Sequence, residues 1–97
     1  MIKHIVCFKL EDNSPEACQK AAEVLLSMKG NVELLIDIEV GVDFLHSKRS
    51  YDVILQVTLD NAEALEEYQQ DKYHCDVVKK YMHSVIKSSV AIDYDIN

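Results

Sequence analysis

Tryptophan is absent from this 97-residue chain, proline occurs once and glycine only twice. There are no repeats, linkers or low-complexity tracts, and the length leaves room for one domain, residues 1–97. Cysteines are few and odd in number: Cys7, Cys18 and Cys75. No Cys-x-x-Cys spacing occurs, which removes zinc-ribbon and dithiol redox motifs and leaves free thiols in a reducing cytosol. Basic residues are outnumbered, ten against 17 acidic, and the net charge is −7. The densest basic clusters, Lys48-Arg49 and Lys79-Lys80, are two residues long, so no phosphate-binding surface is present and nucleic acid is not an expected partner. No apolar run approaches the roughly 20 residues needed to span a bilayer. The opening Met1-Ile2-Lys3-His4-Ile5-Val6 lacks a signal-peptide core and cleavage site. A cytoplasmic location with no membrane partner is therefore expected.

What is present is alternation. In residues 2–10, Ile2, His4, Val6, Phe8 and Leu10 fall on one side, with Lys3, Ile5, Cys7 and Lys9 on the other, the period of a strand. Ser14-Pro15-Glu16 opens a helix with a capping hydroxyl, a proline at the first helical position and an acid at the positive dipole end. Cys18, Ala21, Ala22, Leu25 and Met28 follow at helical spacing up to Gly30, which predicts a helix over about 15–29. Further alternations predict strands over 34–42, 51–59 and 88–96. Between the last two, Asp60-Asn61-Ala62-Glu63 reads as a capping box with Asp60 as cap, opening a helix that fades near Asp71. A helical stripe of His74, Val77, Val78, Tyr81, Met82 and Val85 comes next.

The order β-α-β-β-α-(α)-β predicts an α+β fold, a ferredoxin-like four-stranded antiparallel sheet with helices on one face. The more apolar side of each strand is expected to face the helices, which puts Val90, Ile92 and Tyr94 inward. The other side mixes Ile5, Cys7, Leu35, Ile54 and Ala91 with Lys3, Lys9, Asp37, Glu39, Asp52 and Asp93. Aliphatics interleaved with charges of both signs suit a two-fold, sheet-on-sheet interface, so a homodimer is expected. The exposed aromatic pair of an RNA-binding sheet is missing.

Five segments in order resemble the stress-responsive dimeric α+β barrel (Dabb) domain. They are the run from Met1 to Leu10, Glu39-Val40-Gly41-Val42-Asp43, Ser50-Tyr51-Asp52-Val53-Ile54, Tyr68 through His74, and Ala91-Ile92-Asp93-Tyr94. The resemblance implies a dimeric α+β barrel with a pocket between each sheet and its own helices. It also implies one of two functions. The first is binding of a small, mostly apolar carbonyl compound, with cofactor-free cyclase-like or related chemistry. The second is a non-catalytic stress-associated or accessory dimer with a filled core.

In the cyclase branch, a first-strand histidine, a helix-2 tyrosine and a histidine just beyond helix 2 line the pocket. These match His4, Tyr68 and His74, the implied catalytic residues. A further pocket histidine of that branch aligns with Val53, so the full constellation is broken here. Val53, Phe8, Val77 and Tyr51 are expected around the ligand, with Tyr94 another candidate for the rim. Read alone, His74 could equally be a core histidine satisfied by one hydrogen bond, and His4 could bond a backbone carbonyl. His46 and His83 read as surface residues. Neither a cofactor nor a metal is expected, although His4, His74 and Asp71 would be the donors for one.

Overall fold

The computed structural model describes residues 1–96. Its elements run β1 (Ile2–Leu10), α1 (Pro15–Leu26), β2 (Asp37–Val42), β3 (Val53–Leu59), α2 (Ala62–Gln70), the π-helical turn His74–Lys79, α3 (Lys80–Val85) and β4 (Ile86–Asp95). The strands form one antiparallel sheet in the order β2-β3-β1-β4, the ferredoxin-like arrangement expected.

Local chemistry explains the boundaries. Ser14 caps α1, its hydroxyl accepting from the Ala17 amide at 3.2 Å, and Pro15 follows as the first helical residue. The helix ends at Leu26, three residues before the predicted end, and the chain unwinds through a turn to Gly30 at φ 84°. A side chain is strained in that left-handed region and glycine is not. Asn61 rather than Asp60 caps α2, accepting from the Ala64 amide at 2.8 Å. Asp71 then caps the next helical segment, its carboxylate accepting from the His74 amide at 2.9 Å.

The core fills the space between sheet and helices. Phe8, Leu25, Met28, Leu55, Val57, Leu59 and Tyr68 are buried there. Beside it, Asp52 is a buried carboxylate that accepts from the Leu10 amide at 2.8 Å and so ties the chain entering β3 to the end of β1. It was expected on the open sheet face. Residues 51 and 52 precede the strand, however, and strand parity does not govern them. Burial, helped by the nearby Asp52, pushes the Cys18 thiol up from its ordinary value. Leu35 also leaves its expected place: β2 begins only at Asp37, and Leu35 packs against the core.

The largest departure is β4. Residues paired across an antiparallel ladder lie on the same face, and His4 pairs with Asp93, Val6 with Ala91 and Phe8 with Ser89. Asp93 and Ala91 therefore share the helix-facing side. Val90, Ile92 and Tyr94 lie with Cys7, Ile5 and Lys3 on the open face, the reverse of the expectation. Helices do not cover this edge strand, which is exposed from Lys87 to Asp95, so hydrophobicity could not choose its inner side. The open face carries an apolar row, with Ile92 61% exposed and Ile5 and Ile54 half-buried beside it.

Candidate functional site

A cavity of about 180 Å³ lies between the sheet and the α2–α3 layer. β1 supplies His4, Val6 and Phe8; α2 supplies Tyr68 and Gln69; the segment after it supplies His74, Val78, Lys79, Met82 and His83. An apolar cavity of about 150 Å³ accommodates benzene, so this one takes a molecule of roughly that bulk.

Tyr68 stands at the centre. Its ring centroid is 5.8 Å from that of His4, edge-on, and 4.4 Å from that of His74. The tyrosine is fully buried. Its hydroxyl donates to Met28 Sδ at 3.6 Å, a weak acceptor in the core. Burial, with the Asp71 charge adding to it, pushes the phenol well above its ordinary value, so it stays protonated. The cavity thus meets the tyrosine ring more than its hydroxyl.

The two histidines differ. His4 is buried and bonds through Nδ1 to the Asp93 carboxylate across the β1–β4 ladder. A carboxylate only accepts, so Nδ1 carries the proton and Nε2 keeps a lone pair with which to serve as a base. Among the described residues, no hydrogen-bond partner of normal geometry meets the buried Nδ1 of His74. Burial pushes its pKa down and the Lys79 charge adds to this, against weaker opposing pulls from Asp71 and the Gln69 carbonyl. A buried polar atom without a partner is costly unless water or a ligand supplies one.

A family model, the stress responsive A/B barrel domain, matches residues 2–96. The chain belongs to that family. Similar solved structures agree on the Dabb fold. A dimeric ferredoxin-like protein of unknown function from Bacteroides fragilis is 23% identical, with a TM-score of 0.81 over 98% of this chain and 95% of its own. An Arabidopsis thaliana protein is 20% identical, with a TM-score of 0.83 over 100% and 96%. A Dabb-family protein from Mesorhizobium loti is 19% identical, with a TM-score of 0.77 over 99% and 96%. No curated protein matches.

In this Dabb chain, His4, Tyr68, His74 and Phe8 stand together at the cavity, whereas Val53, Tyr51 and Val77 do not line it. Val53 is buried in the core, and Tyr51 lies on a wider groove with Cys7, Gly41 and Ile54. The π-turn explains Val77. Hydrogen bonds closing i→i+5 widen the turn, so the α-helical stripe drawn from His74 no longer holds and Val77 is turned outward, 42% exposed. Tyr94 lies on the open face and does not rim the cavity. Sequence reasoning missed Asp93, Lys79 and His83. Asp93 could have been found from register alone, by pairing β4 against His4.

Among the described residues no group of three or more His, Cys, Asp or Glu side chains is arranged to hold a metal ion. Among those residues no helix is long and apolar enough to cross a membrane.

Proposed function

We propose that this Dabb protein is a homodimer whose cavity binds a small, mostly apolar carbonyl compound and acts on it by proton transfer. The observation that carries the reading is the buried, partnerless Nδ1 of His74 beside a carboxylate-backed His4, in a cavity with room for a molecule of about benzene's bulk. Such chemistry needs a base and a donor for the carbonyl oxygen.

His4 has the setting of a base. Its Nε2 takes a proton from the carbon next to the carbonyl, and Asp93 stabilises the imidazolium that results. The C–H electron pair moves into an enolate, whose oxygen accepts a hydrogen bond from neutral His74. The enolate then recovers the proton at the same or another carbon, or attacks a second carbonyl of the same molecule in an aldol closure, the alkoxide so formed taking the proton back from His4. No electrons are gained or lost overall. The cavity's bulk favours short substrates over long poly-ketone chains. The dimer reading rests on the apolar row of the open sheet face and on the dimeric Bacteroides fragilis neighbour.

One observation favours the non-catalytic alternative: about 180 Å³ lies below the roughly 300 Å³ typical of ligand sites. A deuterium-exchange assay separates the two. With acetylacetone in D2O, the protein should accelerate exchange at the central carbon over buffer by about 10²-fold or more, and His4→Ala should remove that acceleration. Exchange no faster than in buffer would refute the enzymatic reading.

A further inference from the structure

Among the described residues, the one formally charged side chain on the cavity wall is a cation, Lys79, in a protein whose net charge is negative. The chain has a net charge of −7, yet beside Lys79 the polar lining residues are the three histidines His4, His74 and His83 and the neutral Tyr68, Gln69 and Ser89. Carboxylates are missing from that lining among the described residues. The two nearest are engaged elsewhere, Asp93 on His4 Nδ1 and Asp71 on the His74 amide.

Lys79 reaches this wall because of the π-turn. In an α-helix of 3.6 residues per turn, five residues carry a side chain about 140° round the axis, so Lys79 would point away from His74. Closure at i→i+5 brings the fifth residue back over the first, and the turn spans His74 to Lys79. Val78 and Lys79 then both line the cavity that His74 lines. The proximity is felt electrostatically, since the Lys79 charge depresses the His74 pKa. Lys79 is exposed at the rim, and among the described residues the only ion pairs are His4–Asp93 and His46–Asp43, so its ammonium is without an anionic partner.

Resting on the binding reading above, we infer that the cavity selects a small organic monoanion. The apolar body sits inside against Phe8, Leu55 and Met82, and a carboxylate lies at the rim against the Lys79 ammonium. A cation at the rim of an apolar pocket adds a charge-assisted hydrogen bond that a neutral analogue of the same shape cannot form.

Benzoate and benzamide, equal in size and differing in charge, test this. Each is titrated into the full-length protein while the imidazole resonances of His4 and His74 and the methyl resonances of Val78 are followed by NMR. Benzoate should bind about tenfold tighter than benzamide, the step expected of one charge-assisted contact near water. Lys79→Met should bring the two affinities together, and Lys79→Arg should keep them apart. Equal affinities in the wild-type protein, or a benzoate preference that survives Lys79→Met, would overturn the inference. Benzamide binding without a benzoate advantage sinks the charge selection and leaves the binding reading standing. If neither ligand moves the His74 resonances at about 10 mM, both fall.

Discussion

Ile92→Asp tests the open sheet face at one atom group. Ile92 pairs with Ile5 across the β1–β4 ladder and is 61% exposed in the single protomer. In an isolated subunit the change puts a carboxylate into water and should alter stability by no more than about 0.5 kcal/mol. In a two-fold sheet-on-sheet dimer it buries a charge that has no partner, at a cost of about 3–5 kcal/mol, and symmetry repeats the cost in the other subunit. With each 1.4 kcal/mol worth a factor of ten, the dissociation constant should rise by about four decades or more. Sedimentation velocity at about 10 µM should then report a folded monomer for the variant and a dimer for the wild type. Ala91→Asp, one residue away on the other side of the strand, is the control and should remain dimeric. A dimer that survives Ile92→Asp, or dissociates equally with Ala91→Asp, would refute the face assignment.

Three further outcomes follow from the interior. Asp52→Ala leaves the Leu10 amide without its acceptor and should cost about 1–3 kcal/mol in urea unfolding; a change below about 0.5 kcal/mol would mean that water replaces the carboxylate. Tyr68→Phe removes only the bond to Met28 Sδ and should cost less than about 1 kcal/mol, whereas Tyr68→Ala should cost about 3–5 kcal/mol. A large loss for the phenylalanine would show that the hydroxyl holds more than that sulfur. His74 titrates below its ordinary 6.5 in the folded protein, so between its folded pKa and 6.5 the unfolded chain binds more protons. Its contribution is therefore complete above 6.5 and declines as pH falls through that window. His74→Asn should flatten that part of the stability–pH curve relative to wild type, and an unchanged slope would contradict the assigned burial.

The element order and the strand alternations of β1 and β3 were legible because one side of each is packed under helices. Period-two patterning is strong wherever burial differs between the two faces. In β4 it misled. Val90, Ile92 and Tyr94 make the more apolar row, but this edge strand has no helix above it, and its register against His4 is set by backbone pairing. Asp93 therefore arrived in the site instead of on the open face. Leu35 and Asp52 fell just outside their strands, where parity carries no information.

At the site, His4, Tyr68 and His74 were foreseen through family resemblance, and strand and helix spacing agreed with their convergence. The π-turn was not foreseen, because nothing in His74-Cys75-Asp76-Val77-Val78-Lys79 distinguishes i→i+5 from i→i+4 closure. That one extra residue per turn moved Val77 out and Lys79 to the cavity rim.

The proposed chemistry requires one small carbonyl compound to touch both imidazoles at once. Intermolecular NOEs between bound acetylacetone and the ring protons of His4 and His74 measure this directly. Contacts to both rings, and to Phe8 and Val78, are expected within a single complex. Contacts instead to Cys7, Phe44 and Ile54 of the wider groove, or to only one of the two histidines, would contradict that chemistry.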